Sequence, residues 1–162
     1  MGAHPFGGRT VRVIKFIPHS FDNDGTYFHI LEKAWERGES FINVEHDIII
    51  PDKDPTLAVC PNDWCAAPYP YLDRPRQFGL GCVKFSDALI ARHQTMFEVI
   101  GTWYNNDHPP KHWCTLDSWT YIYLIERGEK RCENHELVGH EGHPGKMSSA
   151  HGCLTVQRFA IP

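Results

Sequence analysis

A short acidic segment follows one of the most apolar stretches of the chain. Residues 41–44 read as a strand, which runs directly into Glu45, His46 and Asp47. Because alternate side chains of a strand share a face, Glu45 and Asp47 can converge while His46 points away and joins the core. Two carboxylates at the edge of a buried sheet are costly unless a cation or hydrogen bonds compensate them. The pattern predicts a Mg²⁺ or Mn²⁺ site next to substrate phosphates, with a plain acidic turn as the alternative.

Histidine is the residue type that ligates metals and changes charge near neutral pH, and the chain has eleven of them. Four lie in the C-terminal tail: His135, His140, His143 and His151. At most one or two of these are needed as ligands, and the others are expected to be solvated or structural. His135 and His140 are five positions apart, so they would not share a helix face as the histidines of the zinc-protease motif do. That class of protease is therefore excluded.

The six cysteines offer a second kind of metal site. We expect reduced thiols, because no signal peptide precedes them. Cys60 and Cys65 are separated by four residues, and a tetrahedral structural zinc site could add Cys114 and Cys132, or instead His108 and His112. No Cys-x-x-Cys pair is present, and cysteine is often only a small buried apolar residue, so burial is the stronger expectation.

The periodicity of the first half predicts a strand, a helix and a second strand. Residues 11–17 alternate and are rich in β-branched side chains, and residues 26–37 carry apolar side chains at helical spacing between Thr26 as a possible N-cap and Gly38 as a stop. The second strand begins at residue 41. This order predicts a βαβ unit whose second strand ends in the acidic segment.

Weaker patterns follow in the second half of the chain. A short turn or helix is expected up to Val59, and residues 60–77 are expected to form an ordered loop over the site. The pattern of residues 80–85 predicts a strand. Ser86 is predicted to cap the N-terminus of a helix over residues 87–92, and a further helix is predicted over residues 117–127, ending at Gly128. A loop is predicted for residues 102–115, and the tail from residue 130 is rich in histidine and glycine.

Size and charge limit the classes of protein. With 162 residues, 41% hydrophobic residues and a net charge of −4, the chain is expected to be a single compact domain over residues 1–162, with a loose segment at 1–9. The acidic balance opposes nonspecific nucleic-acid binding, and no apolar run is long enough to span a membrane. We expect a cytoplasmic protein. Without a Walker loop or a Gly-x-Gly-x-x-Gly motif, kinase and dehydrogenase functions are disfavoured.

Three features together resemble a known family. The strand that ends in Val44-Glu-His-Asp-Ile-Ile-Ile-Pro51 is similar to the metal-binding acidic motif of GT-A glycosyltransferases. Gly81-Cys-Val-Lys-Phe-Ser-Asp-Ala-Leu89 resembles the strand and Ser-capped helix that line the donor-sugar pocket of such enzymes. Their further metal ligand is often a histidine near the C terminus. Over residues 11 to 143 the chain resembles small glycosyltransferase-like proteins of phages and actinobacteria, with a shortened nucleotide pocket.

The resemblance implies an α/β fold with an abbreviated Rossmann-like, GT-A-like sheet, flanking helices and long aromatic and histidine-rich loops. It implies that Asp47 binds the metal, that Glu45 faces the donor or a metal-bound water, and that His140 completes the metal shell. Gly81 would lie in the donor pocket. From their position after the first strand, four residues are expected to contact the nucleotide: Pro18, His19, Asp22 and Asp24.

A general base must take the proton of the acceptor hydroxyl if the transfer inverts the sugar, and a carboxylate at a helix N-terminus suits this role. Asp117 fits that description, with helix capping as the equally weighted alternative. Four aromatic residues are candidates for an acceptor platform or, more commonly, for loop packing: Trp64, Tyr69, Tyr71 and Trp113.

The predicted function is metal-dependent hexosyl transfer from a nucleoside-diphosphate sugar to a hydroxyl acceptor. The sequence does not distinguish between three classes of acceptor: a modified base of phage DNA, a protein and a glycan. It does not identify the donor sugar either. Two alternatives belong to other classes: a noncatalytic metal- or sugar-binding module, and a zinc-dependent hydrolase that uses the histidines.

Overall fold

The computed structural model describes residues 13–18, 25–45, 47–50, 56–71, 74–103, 111, 113–140 and 153–158. Its strands are β1 (Val13–Pro18), β2 (Phe41–Glu45), β3 (Ile48–Ile49), β4 (Trp64–Ala66), β5 (Tyr69–Tyr71), β6 (Arg74–Gln77), β7 (Cys82–Phe85), β8 (Gly139–His140) and β9 (Cys153–Arg158). Its helices are α1 (Thr26–Glu36), α2 (Thr56–Val59), α3 (Asp87–Arg92), α4 (Met96–Ile100) and α5 (Trp113–Glu126). The expectation of a mixed α/β chain is confirmed.

The main sheet differs from the predicted Rossmann-like arrangement. Its strand order is β1-β9-β2-β7-β4, and each neighbouring pair is antiparallel. Strands β1 and β2 run in the same direction, as a βαβ unit requires, but β9 lies between them and bonds to both. The predicted GT-A-like sheet is therefore not what the chain forms. The reason is the tail, whose strand inserts into the sheet instead of staying a histidine- and glycine-rich loop.

Two small sheets accompany the main one. β3 pairs with β8, and β5 pairs with β6. The prediction of a loop over residues 60–77 is wrong, because β4, β5 and β6 lie within it and β4 closes one edge of the main sheet. Aromatic and proline-rich composition hid these strands, since each is at most four residues long.

The predicted helix boundaries agree with the structure best where a capping residue sets the boundary. α1 ends just before Gly38, whose φ of +67° suits a glycine stop, although Gly25 and not Thr26 holds the N-cap position. α3 spans the predicted residues 87–92, and Ser86 caps it by accepting a hydrogen bond from the Leu89 N–H. The short helix α4 was not predicted.

The main hydrophobic core packs α1, α3, α4 and α5 against the sheet around Trp35. Its indole packs edge-on against Phe41, Phe85 and Phe97, and its Nε1 donates to the His93 carbonyl at 2.9 Å. A smaller core on the other side includes Ile42, Ile48, Tyr69 and Val138. The two cores bury successive residues of β2, and β2 therefore carries Glu45 to the end of a strand that is covered on both faces.

Replacing Ser86 with alanine is expected to lower the free energy of unfolding by about 1 kcal/mol. The Leu89 N–H would lose its acceptor, and the Asp63 carboxylate would lose the Ser86 hydroxyl that donates to it at 2.7 Å. Thermal denaturation should detect a decrease in Tm of roughly 2–4 °C. Ser118→Ala, on the exposed side of α5, is the matched control and should leave Tm nearly unchanged. Equal Tm values for the two variants would contradict this role of Ser86.

Candidate functional site

Side chains from four elements and one turn meet at the end of β2. Glu45 is the last residue of β2, Asp47 lies in the turn before β3, and Asp117 comes from α5. Tyr27 of α1 and Tyr69 of β5 join them. We call these five residues the acidic cluster. Glu45, Asp47 and Asp117 remain partly exposed, so a small ligand has access to them.

A chain of hydrogen bonds orients Glu45. The Tyr27 hydroxyl donates to Glu45 Oε1 at 2.6 Å, and Asn43 Nδ2 donates in turn to the Tyr27 hydroxyl at 3.1 Å. Asn43 Nδ2 also donates to the Leu80 carbonyl, which connects β2 to the segment before β7. Because Tyr27 and Asn43 are buried, they fix the carboxylate from behind and leave its other oxygen available.

Asp117 approaches the backbone of the 79–81 segment closely. The Leu80 N–H donates to Asp117 Oδ1 at 3.0 Å. A Cβ at Gly79 would lie 2.4 Å from Asp117 Oδ2 and 2.6 Å from the Tyr69 hydroxyl, so position 79 requires glycine. A Cβ at Gly81 would similarly meet the Tyr69 ring at 2.9 Å. These two glycines allow α5 and β5 to bring a carboxylate and a phenol to the same place.

Two carboxyls of the cluster have raised pKa values, and desolvation is the main cause for both. Desolvation and the charges of Asp117 and Asp47 raise the pKa of Glu45 to about 8, against the opposing hydrogen bond from Tyr27. Desolvation also raises the pKa of Asp117 to about 6, against the Leu80 N–H and the charge of Arg131. Near neutral pH one carboxyl therefore tends to keep its proton while the other ionises, which is the usual arrangement of an acid and base pair.

The structure brings together the acidic residues that the sequence singled out. Glu45 and Asp47 are close enough for the charge of Asp47 to add to the desolvation that raises the pKa of Glu45, but Asp47 lies in the turn after β2 and does not share a strand face with Glu45. His140 lies on β8 directly opposite Ile48, so its backbone is beside the turn that carries Asp47. His46 lies outside the described residues. The two side chains are therefore neighbours without the continuous strand that was expected to bring them together. The side chain of His140 lies outside the described residues, and its role as a metal ligand stays a prediction.

The expected position of Asp117 at a helix N-terminus is wrong. α5 begins at Trp113, so Asp117 lies in the second turn and neither caps the helix nor benefits from its N-terminal dipole. The apolar run before Asp117 extends the helix by a turn that the sequence assigned to a loop. Asp117 is nevertheless close enough to Glu45 for its charge to contribute to the raised pKa of Glu45.

The remaining predicted site residues divide into three groups. Gly81 packs against Tyr69, and its carbonyl accepts from the Glu45 N–H at 2.8 Å, so a packing role accounts for it. Pro18 ends β1, where its backbone lies opposite Cys153 of β9. Three predicted nucleotide contacts lie outside the described residues: His19, Asp22 and Asp24.

The predicted acceptor platform does not form as expected. Trp64 is only 2% exposed and packs beside Tyr121 and the Arg131 guanidinium, so its ring has no face open to a sugar. Tyr69 is also buried, with its hydroxyl towards Asp117. Tyr71 ends β5 and Trp113 begins α5, and their side chains lie outside the described part of the chain. For Trp64, the packing alternative is correct.

Sequence reasoning missed Tyr27 and Asn43. Asn43 is fully buried in the middle of an apolar strand, and a polar side chain there must have a hydrogen-bond partner. That pattern was a usable signal for a polar network behind Glu45. Tyr27 gave no such signal, because a tyrosine on the apolar face of a helix usually serves packing.

A second group, which we call the thiol cluster, lies on the side of β4. Cys60, Cys65, Cys132 and His135 each offer one ligand atom, and these four atoms all lie within 4.8 Å of one another. The zinc alternative drawn from the sequence contained the three cysteines but did not include His135. The side chain of Cys114 and the whole of His108 and His112 lie outside the described residues.

In the described residues, no helix has the length and apolarity needed to cross a bilayer. No model of a known protein family, no curated protein and no solved structure matches the chain. The GT-A resemblance therefore remains a prediction, and the function of the chain follows from the chemistry of its acidic cluster.

Proposed function

We propose that the chain is a metal-dependent glycosyltransferase that moves a hexose from a nucleoside-diphosphate sugar to a hydroxyl acceptor. The observation that carries this proposal is the convergence of Glu45, Asp47 and Asp117 at one partly exposed strand end. Desolvation raises the pKa of Glu45, and the charges of Asp117 and Asp47 raise it further, so the ionised form of Glu45 is unfavourable without a cation. A divalent cation relieves it, and a diphosphate needs the same cation to leave.

Oxygen ligands of this kind suit Mn²⁺ or Mg²⁺. Asp47 and Glu45 would hold the ion, and His140, whose backbone pairs with Ile48 next to Asp47, is the further ligand that we propose. When bound, the ion supplies charge neutralisation for the departing diphosphate. Tyr27 holds Glu45 in one orientation, so that little reorganisation is needed on binding.

Asp117 is the proposed general base. Its pKa of about 6 leaves it ionised at neutral pH yet basic enough to accept a proton. In the transfer, the acceptor oxygen forms a bond to the anomeric carbon, the bond from that carbon to the diphosphate oxygen breaks, and the hydroxyl proton passes to Asp117. The Leu80 N–H occupies Oδ1, which leaves Oδ2 beside the Tyr69 hydroxyl to take the proton.

The proposal rests on the site and not on the fold, because the same chemistry recurs on unrelated folds. The antiparallel main sheet lowers the weight of the GT-A resemblance. It does not affect the carboxylate site, since β2 ends at Glu45 and the turn that follows carries Asp47, and both residues are partly exposed.

A thermal-unfolding panel tests the proposal. UDP, GDP, CMP and dTDP are each added with and without Mn²⁺ to the wild-type protein, to Asp47→Asn, and to Glu126→Gln as an exposed carboxylate control on α5. Ligand at about 100 times its Kd stabilises a protein by roughly 2.7 kcal/mol, which corresponds to a Tm increase of several degrees. We expect a Mn²⁺-dependent increase with one nucleotide in the wild type and in Glu126→Gln, and none in Asp47→Asn.

Other outcomes identify the alternatives. A metal-dependent increase without release of nucleotide from any donor sugar would point to a noncatalytic binding module. If none of the nucleotides changes Tm with Mn²⁺ or Mg²⁺, while hydrolytic activity depends on added Zn²⁺, the transferase proposal is wrong and a hydrolase takes its place.

A further inference from the structure

We propose that Cys60, Cys65, Cys132 and His135 bind one Zn²⁺ ion in a closed tetrahedral site that fixes the segment leading into β8. This site is separate from the acidic cluster and from the Mn²⁺ or Mg²⁺ ion proposed there. Cys60 follows α2, Cys65 lies in β4, and Cys132 and His135 lie between α5 and β8.

The spacing of the ligand atoms fits zinc. A Zn–S bond of about 2.3 Å in a tetrahedron separates two sulfurs by about 3.8 Å. Cys60 Sγ and Cys132 Sγ are 3.9 Å apart, and all four ligand atoms lie within 4.8 Å of one another. A disulfide would need about 2.0 Å between the sulfurs, and the three thiols are free. Three thiolates and an imidazole are ligands that favour Zn²⁺ over Mg²⁺ or Mn²⁺.

Backbone pairing holds the ligands in place. Cys65 and Cys132 form a parallel bridge in which the Cys132 N–H donates to the Trp64 carbonyl at 2.8 Å and the Ala66 N–H donates to the Cys132 carbonyl at 3.0 Å. Asn62 Nδ2 donates to Cys60 Sγ at 3.2 Å, an outer contact that orients a sulfur ligand. The site is therefore built into the edge of the main sheet.

A buried lysine supplies the charge that such a site needs. Three thiolates and Zn²⁺ carry a net charge of −1. Lys84 is 1% exposed, lies opposite Cys65 across the β4–β7 pair, and donates through Nζ to the Cys60 carbonyl. Besides the hydrogen bond from Ser86, the charge of Lys84 helps to lower the pKa of the Asp63 carboxyl, and it opposes the rise that burial causes in the pKa of the Cys65 thiol. A buried ammonium is costly, and the anionic zinc centre beside Cys65 compensates its charge together with Asp63.

Four protein ligands leave no position for water or substrate, so the ion is structural and not hydrolytic. It joins the start of β4 to the chain that follows α5. Three residues beyond His135, the Val138 N–H donates to the Pro68 carbonyl at 2.9 Å, and β8 then pairs with β3. The zinc centre thereby anchors the strand that brings His140 beside the acidic cluster.

The metal content of the purified protein tests the proposal. Elemental analysis should find about one zinc per chain in the wild type and in Cys82→Ser, and less than about a tenth of that in Cys132→Ser and His135→Ala. Cys82 is the matched control, because its thiol is buried on β7 outside the cluster. His135→Cys should retain zinc, since a fourth thiolate replaces the imidazole.

Two measurements on the wild type keep the proposal testable if the variants do not fold. Co²⁺ exchanged for zinc should give the visible absorption of tetrahedral thiolate coordination, and removal of the metal by a chelator should lower Tm by roughly 10 °C or more. A wild type that lacks zinc, that holds another metal in its place, or that forms a Cys60–Cys132 disulfide would overturn the proposal. So would a Cys132→Ser variant that keeps its zinc.

Discussion

Asn in place of Asp117 lowers the rate of donor turnover by an expected factor on the order of 10²–10⁴ while the protein stays folded. Loss of a positioned general base has an effect of this size. The fold should tolerate the change, because an asparagine Oδ1 can still accept from the Leu80 N–H. The measurement is release of nucleotide from a nucleoside-diphosphate sugar with Mn²⁺, where water serves as the acceptor. Glu126→Gln, an exposed carboxylate on the same helix, should keep the wild-type rate.

The pH profile separates a base from a merely structural carboxylate. With a pKa of about 6 for Asp117, the wild-type rate should fall close to tenfold per pH unit below that value, because the protonated carboxyl cannot accept a proton. In Asp117→Asn this acidic limb should vanish from the residual rate. An unchanged limb in the variant would assign the titration to another group and remove Asp117 from the mechanism. Binding of nucleotide and Mn²⁺ should differ little between the two proteins.

Glutamine in place of Glu45 is expected to stabilise the metal-free protein at alkaline pH. The pKa of Glu45 rises from 4.5 to about 8 on folding, so the folded chain binds more protons than the unfolded chain between these values. Its stability contribution is therefore present below about pH 4.5 and is lost as the pH rises through 8. At about 1.4 kcal/mol per pKa unit, the loss amounts to a few kcal/mol. Glutamine keeps the acceptor for the Tyr27 hydroxyl and carries no charge.

Thermal denaturation of the wild type and Glu45→Gln at a series of pH values checks this expectation. The two Tm values should nearly coincide at pH 5 and diverge towards pH 9, with the variant more stable. Excess Mn²⁺ should raise the wild-type Tm at pH 8 and leave the variant much less affected, because the cation compensates the charge of Glu45. A wild type that is more stable than the variant at pH 9 without metal would mean that the carboxylate is not destabilised by its neighbours.

The arrangement of the acidic cluster lowers the stability of the metal-free protein and, for the same reason, suits the proposed reaction. Glu45, Asp47 and Asp117 lie close together at some cost to the folded state, and the cation that would relieve that cost is also the one that the proposed reaction needs. The thiol cluster has the opposite character. Its metal would strengthen the fold and take no part in the chemistry.

The sequence by itself determined the local features. The apolar run over residues 41–44 predicted a strand that leads into the acidic segment, and the hydrogen bond that Ser86 can accept fixed the start of α3. The φ of +67° at Gly38 explains the end of α1 in the same way. Each of these features depends on interactions between residues only a few positions apart, which sequence patterns record directly.

Tertiary structure decided which distant segments meet. Insertion of β9 between β1 and β2 turned the expected parallel sheet into an antiparallel one, and the packing of α5 placed Asp117 near Glu45, 72 positions earlier in the chain. The same long-range pairing set Cys132 and His135 beside Cys60 and Cys65. Such contacts depend on which strands compete successfully for a sheet edge once the core has packed, and no periodicity within a single segment encodes the result of that competition.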